Sequence, residues 1–92
     1  MIEKKGGCDF IRLCRHTRSD EELDALFQLL FTLDEQEQLA TRVELLRALL
    51  KGHKPQRAIA SELKISIAKI TRGSNAVKVI SPELRKFLEK LL

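Results

Sequence analysis

Tryptophan and tyrosine are absent from this 92-residue chain, and phenylalanine occurs only four times. Aromatic residues are enriched in β-strands, so their scarcity counts against a fold built on sheets. Charged residues make up 33% of the chain and hydrophobic residues 43%, a balance that suits amphipathic helices with one buried face. We therefore expect an all-α fold in a single domain, 1–92.

Cysteine is scarce as well. Cys8 and Cys14 form neither a CxxC nor another metal-ligand spacing, and we expect both thiols to be reduced. The histidines, His16 and His53, are isolated, and the cysteines lack a positioned base, so we expect no metal, no cofactor and no enzymatic activity. The chain also lacks an apolar run long enough for a signal peptide or a membrane span. We expect a soluble cytoplasmic protein without a membrane partner.

The charge is unevenly distributed along the chain. Up to Thr41 there are five basic and nine acidic residues, whereas from Arg42 onward there are twelve basic and four acidic. Between Lys51 and Lys78 seven basic residues accompany one acid, Glu62. Such a basic segment is typical of proteins that bind a polyanion, and an ordinary solvated basic surface is the alternative.

Capping patterns divide the chain into about six helices. Ser19 and Thr32 each precede an acidic first turn, Ser81 precedes Pro82, and Gly52 suits a helix end. The predicted helices are 7–16, one after Ser19, one from Thr32 to about Lys51, 56–63 with Pro55 in its first turn, one from Ile67 capped by Ser66, and one from Pro82.

Two of these helices carry more apolar surface than a single neighbour can bury. The stripes on the third helix are Leu39, Val43, Leu46 and Leu50, and beside them Leu45 and Leu49. The apolar face of the last helix is Leu84, Phe87, Leu88 and Leu91. We expect a homodimer in which residues 1–51 and 82–92 mainly form the interface.

Residues 56–78 have the pattern of a helix-turn-helix, in which a short helix and a three-residue turn precede a helix that enters a major groove. Basic side chains on its outer faces would neutralise phosphates while the start of the second helix meets base edges. The expected DNA-binding residues are Gln56, Arg57, Ile67, Ala68, Lys69, Thr71, Ser74 and Lys78. A helical protein-interaction adaptor is the alternative, and strongly salt-dependent DNA binding would distinguish the two.

From Leu29 to the C terminus the chain resembles the bacterial Trp repressor family, most closely in LATRVELLRALLKG, PQRAIASEL, IAKITRGSN and PELRKFLEKLL. The string ITRGSN is specific to that family. The N-terminal 28 residues, which precede Leu29, match only in being helical. The resemblance implies an intertwined all-helical homodimer. It also implies binding to operator double-stranded DNA when L-tryptophan is bound as corepressor.

The resemblance further implies which residues hold L-tryptophan. The indole would lie between Arg42 and Arg72. Thr32 and Arg72 would bind the carboxylate, and the carbonyls of Leu29 and Phe31 would accept hydrogen bonds from the ammonium. The alternative for Arg42 is an ordinary ion pair with a surface acid.

Gly73 stands in the middle of a predicted helix, where glycine costs roughly 1 kcal/mol relative to alanine. The resemblance places it against the ligand, with Leu46 on the pocket floor, so that the missing side chain leaves room for a flat ring. The adjacent Arg72 can both pair with a carboxylate and stack on an indole. A helix kink or a C-cap is the alternative explanation for the glycine.

Three positions depart from the family pattern. Ala76 stands where the family has a serine that helps to hold the ammonium, so one hydrogen bond worth roughly 0.5 to 1.5 kcal/mol is either absent or replaced by a hydrogen bond to water. Ala60 replaces a lysine and Lys69 a threonine in the helix-turn-helix. Two alternatives therefore stay open, a regulator without a ligand and one with a different indole ligand.

Overall fold

The computed structural model describes residues 4–92, which form six helices and no strand. The helices are α1 (Lys5–His16), α2 (Asp20–Leu30), α3 (Leu33–Lys51), α4 (Gln56–Leu63), α5 (Ile67–Lys78) and α6 (Pro82–Leu91). This confirms the predicted all-α class and the number of helices. Within the same residues, no helix combines the length and the hydropathy needed to span a bilayer.

Hydroxyl side chains begin four of the helices, as the sequence predicts. Ser19, Thr32, Ser66 and Ser81 each accept a hydrogen bond from the backbone N–H three residues ahead, at 3.1 to 3.2 Å. At Thr32 the capping box is complete, because its own N–H donates to Oε1 of Glu35 at 2.9 Å. Caps of this kind stabilise a helix by about 1 kcal/mol each, and they fix where α2, α3, α5 and α6 begin.

One helix start and the position of one proline differ from the prediction, while α4 begins at Gln56 as predicted. The first helix begins at Lys5 rather than at Gly7, and no side chain caps it. Pro55 lies immediately before α4 instead of in its first turn, with an extended ψ of 153°. Its carbonyl accepts the N–H groups of Ala58 and Ile59, so the proline fills the N-cap position without contributing a side-chain acceptor.

The contacts within the chain divide it into two compact units. The first, here called the N-terminal unit, ends at Glu37, and the second, the C-terminal unit, is Gln38–Leu92. The single domain predicted from chain length stays a prediction. In the N-terminal unit, α1 and α2 contain no buried side chain. Phe10 of α1 and Phe27 of α2 form an aromatic cluster with Phe31, with ring centroids 5.2 to 6.1 Å apart.

The C-terminal unit has a small aliphatic core. One buried side chain comes from each of three helices: Leu45 from α3, Ile59 from α4 and Ile70 from α5. The side chains packed around them are Ala48, Leu49, Ala60, Leu63 and Ile65. This core fixes α4 and α5 against each other and against α3, so it positions the two helices that the sequence assigns to DNA binding.

The turn between α4 and α5 consists of Lys64, Ile65 and Ser66. Lys64 adopts the left-handed conformation, with φ 55° and ψ 45°, and the N–H of Ile65 donates to the carbonyl of Ala60 at 3.2 Å. Glycine is the usual residue at such a helix end, and another residue costs about 1 kcal/mol there. The turn therefore keeps the geometry of a glycine turn although it lacks the glycine.

Candidate functional site

Helix α5 has one side packed on the core and another side open. Ile70 is buried and Gly73 and Val77 are half-buried, at the spacing of one helical face. On the other side, residues four, three and four apart form a row along the helix: Ile67, Thr71, Ser74 and Lys78. Three of these four are exposed and Ser74 is half-buried, so the row is available to a macromolecule that approaches α5.

The starts of α4 and α5 supply the remaining predicted DNA contacts. Gln56 and Arg57 are exposed in the first turn of α4, which has no side-chain cap because Pro55 precedes it. An uncapped helix N terminus presents N–H groups and a positive dipole to a phosphate. Lys69 is exposed in the first turn of α5, about half a turn around the helix from Thr71. It therefore lies on a different side of α5 from the row.

Most of the basic residues in this region are not neutralised by a neighbour. Lys54 pairs with Glu62, with Nζ and Oε2 2.6 Å apart, and Arg47 pairs with Glu44. The other basic residues of segment 51–78 take part in none of the ion pairs seen between residues 4 and 92: Lys51, Arg57, Lys64, Lys69, Arg72 and Lys78. The positive potential predicted from the sequence is thus retained on α4 and α5.

A cleft of about 270 Å³ lies between the end of α3 and α4. Its apolar floor includes Ile59 and Leu63, and its rim includes the paired residues Lys54 and Glu62. None of the residues predicted to bind a ligand lines this cleft.

Gly73 allows α5 to approach α3 closely. A Cβ atom at this position would lie 3.1 Å from Cδ2 of Leu45 and 3.3 Å from Cδ1 of Leu49, tighter than ordinary van der Waals contact. The glycine therefore has a packing role that the sequence reasoning missed. Its position on the same helical face as Ile70 and Val77 is the signal that could have revealed this role. The predicted contact with a ligand stays a prediction.

In the C-terminal unit, the two arginines predicted to enclose an indole are both exposed. Arg42 and Arg72 take part in no ion pair seen among the described residues, so the alternative of an ordinary surface ion pair for Arg42 finds no support there. Leu46 is half-buried on α3. Both guanidinium groups are free to bind a planar anion.

In the N-terminal unit, the predicted ligand contacts surround the turn between α2 and α3. The Thr32 oxygen already accepts the N–H of Glu35, but its hydroxyl proton can still be donated to a carboxylate. The Phe31 carbonyl accepts Nε2 of Gln36 at 3.0 Å and has a second lone pair. Leu29 lies in the last turn of α2, where carbonyls have no partner within the helix.

Comparison with known proteins identifies the relatives of this chain. The family description "Trp repressor protein" matches residues 8–92, which extends the resemblance well before Leu29. A Trp operon repressor homolog of Chlamydia trachomatis serovar D is 41% identical over 88 residues, covering 96% of this chain and 94% of that protein. A homolog of the same name from Vibrio vulnificus strain YJ016 is 43% identical over 82 residues, covering 89% of this chain and 80% of that protein.

These matches and the helical fold define the class of this protein as a DNA-binding regulator of transcription. The matching family is a family of repressors, not of enzymes. The chain belongs to the Trp repressor family, which uses tryptophan as its ligand. The resemblance seen in the sequence is thereby confirmed.

Proposed function

We propose that this chain is a cytoplasmic homodimeric repressor that binds operator double-stranded DNA of tryptophan-metabolism genes when L-tryptophan is bound. The observation that supports this most directly is the open row on α5, Ile67, Thr71, Ser74 and Lys78, on a helix whose other side is fixed to the core. Reading a major groove requires a helix that is fixed on one side and presents polar and basic side chains on the other, as Thr71, Ser74 and Lys78 do here.

The DNA contacts divide by role. The row on α5, which begins with Ile67, and the adjacent Ala68 meet base edges. Arg57 and Lys69 neutralise phosphates. Gln56 begins α4 and donates to a phosphate or a base. Ala60 is half-buried against the core, so it contributes packing at the position where the family has a lysine.

The ligand contacts divide by role as well. The proposed ligand-binding residues are Leu29, Phe31, Thr32, Arg42, Leu46, Arg72 and Gly73. Guanidinium groups stack on the indole and bind the carboxylate, the Thr32 hydroxyl donates to the carboxylate, and backbone carbonyls accept from the ammonium. L-Tryptophan acts by population shift, because it binds better to the arrangement of α4 and α5 that is competent for DNA.

Exposed apolar side chains support the homodimer. Among the described residues three hydrophobic side chains are buried, whereas Val79 is 83%, Leu33 71% and Leu91 65% exposed. Burying one such side chain stabilises a protein by roughly 1.5 to 3 kcal/mol, so a partner copy supplies what the small core lacks. Sedimentation at micromolar concentration should show a dimer, and a stable folded monomer would contradict this part of the proposal.

Operator binding is tested by selecting duplexes from a random library with the protein, with and without L-tryptophan. Affinity of the selected duplex is then measured by fluorescence anisotropy across a series of salt concentrations. Lys69→Ala should weaken binding and lower the salt slope by about 1, and Lys86→Ala on α6 is the matched control with an exposed lysine. Failure to enrich any sequence would favour the adaptor alternative.

Ligand binding is tested by calorimetry with L-tryptophan, indole-3-propionate and tryptamine. Binding should be saturable at one site per chain and lost without the carboxylate. Arg72→Ala should abolish it, while Arg57→Ala should leave it unchanged although it weakens DNA binding. Unaltered tryptophan binding by Arg72→Ala would remove the assignment of this arginine.

A second candidate, a regulator of the same fold with a different indole ligand or none, is favoured by one observation. Ala76 is exposed on α5 and provides no hydroxyl for the ligand ammonium. Ala76→Ser should tighten L-tryptophan binding roughly 2- to 10-fold if the ligand is tryptophan. Tighter binding of indole-3-propionate than of L-tryptophan by the natural chain would instead favour the second candidate.

A further inference from the structure

Arg85 joins the last helix to the end of α5. Its Nη2 donates to the carbonyl oxygen of Val77 at 3.1 Å, and both residues are half-buried. Val77 lies in the final turn of α5, where carbonyls have no donor within the helix. A guanidinium at this position satisfies one of these carbonyls and also complements the negative end of the α5 dipole.

The two sides of α6 differ in exposure. Arg85, Leu88 and Leu92 follow one another at helical spacing and are all half-buried. The adjacent side is apolar and exposed, with relative accessibilities of 44%, 56% and 65% for Leu84, Phe87 and Leu91. Arg85 thus contacts its own chain through Val77, whereas the apolar side of α6 stays exposed.

We propose that Arg85 is a positioning residue for DNA binding, which couples the orientation of α5 to that of α6 through the carbonyl of Val77. The inference rests on the proposed DNA-binding role of α5. A change in the orientation of α6 would alter the orientation of α5, and thus of its row, through this hydrogen bond. Arg85 itself would not contact DNA.

Three features of the site support a positioning role. The hydrogen bond is charge-assisted, and a contact of this kind is stronger than one between neutral groups. The carbonyl that it engages belongs to the residue immediately before Lys78, which ends the row on α5. Because Arg85 is held at the end of α5 opposite to Ile67, its removal would loosen the orientation of the helix without deleting a phosphate contact.

The test compares Arg85→Ala and Arg85→Lys with the matched control Lys86→Ala and with Lys69→Ala. Each variant is assayed on the selected duplex with saturating L-tryptophan across a series of salt concentrations, after sedimentation and urea melting show that it is folded. Arg85→Ala should weaken operator binding roughly tenfold with an unchanged salt slope. Arg85→Lys, which keeps a charged donor, should recover part of the loss, and Lys86→Ala should bind like the natural chain.

Hydrogen exchange provides a second measurement that a general loss of stability would not reproduce. Amides in the last turn of α5 should exchange faster in Arg85→Ala, while those of α4 keep their natural rate. Faster exchange throughout the C-terminal unit would overturn the positioning role in favour of a merely structural one. If Arg85→Ala is unstable, the same measurement is made on Arg85→Lys and interpreted in the same way.

The remaining outcomes separate the inference from the proposed function. A salt slope lowered by about 1 in Arg85→Ala would show a direct phosphate contact and overturn the inference. Natural affinity in Arg85→Ala, with weakened binding in Lys69→Ala, would overturn the inference and leave the proposed function intact. Natural affinity in Lys69→Ala as well would contradict the DNA-binding role of α5 and the inference with it.

Discussion

The two compact units of this chain differ both in charge and in how they are stabilised. The N-terminal unit, up to Glu37, has nine acidic and five basic residues, no buried side chain in α1 or α2, and a cluster of three phenylalanine rings. The C-terminal unit has twelve basic and four acidic residues and an aliphatic core from three helices. Basic side chains are thus presented by the unit in which the helices are fixed most firmly.

This difference separates two tasks. A surface that reads DNA needs helices whose relative orientation is set within one chain, and α4 and α5 meet this need through Ile59 and Ile70. The N-terminal unit has no buried side chain in α1 or α2, and Leu29 and Leu30 on α2 are exposed. We therefore expect α4 and α5 to depend on the core of their own unit, whereas α1 and α2, like α6, depend on the partner copy.

The largest expected effect comes from the core of the C-terminal unit. Ile70→Ala should lower the free energy of unfolding by about 2 to 5 kcal/mol, because it leaves a cavity at a side chain with no exposed surface. Ile67→Ala, on the open side of the same helix, should cost much less. Urea denaturation of both variants compares their free energies of unfolding. Equal decreases in the two variants would show that α5 is not anchored through the side that carries Ile70.

The next effect concerns the close approach of α5 to α3. Gly73→Val should destabilise the C-terminal unit by about 1 to 3 kcal/mol, because its side chain would overlap Leu45 and Leu49. It should also weaken L-tryptophan binding if the ligand lies against this residue. Ala76→Val, on an exposed position of α5, is the control for stability only, because residue 76 lies at the proposed site of the ligand ammonium. Natural stability of Gly73→Val in a urea melt would remove the packing role.

A smaller effect is expected in the N-terminal unit. Phe27→Leu removes ring contacts to both Phe10 and Phe31 and should cost about 0.5 to 1.5 kcal/mol beyond the change in buried area. Hydrogen exchange should accelerate in α1 and α2 while the amides of α5 keep their rates. Equal acceleration in both units would show that their stabilities are not separate.

The smallest effect is a gain in stability at the turn. Lys64→Gly should raise the free energy of unfolding by about 1 kcal/mol, since glycine adopts a φ of 55° without strain. Lys64→Ala removes the same charge but keeps the strain, so thermal melts of the two variants isolate the backbone contribution. Equal melting temperatures for glycine and alanine at this position would contradict the prediction.

The sequence predicts local structure better than packing. Caps at Ser19, Thr32, Ser66 and Ser81 depend on neighbours three residues away, so they are visible in the sequence and the structure confirms them. The turn between α4 and α5 was placed correctly even though Lys64 occupies the glycine position. The predicted position of Pro55 in the first turn of α4 was wrong, since Pro55 occupies the N-cap position. Proline suits both positions, so the sequence alone does not distinguish them.

Contacts between distant residues were the part that the sequence did not reveal. The close approach of Gly73 to Leu45 joins residues on different helices, and no local pattern encodes it. The same holds for the ring contact between Phe10 and Phe31 and for the hydrogen bond from Arg85 to Val77. The ligand-binding residues came from family resemblance alone, because an exposed arginine on a helix has many ordinary uses.

The central claim is that the basic C-terminal unit binds DNA in a manner governed by tryptophan. The most direct test measures the Kd of one selected operator duplex by anisotropy, at a fixed salt concentration, with and without saturating L-tryptophan. We predict binding tighter by at least about fivefold with the ligand, the lower end of typical coupling between two sites. The same Kd in both conditions, with tryptophan bound according to calorimetry, would contradict the account.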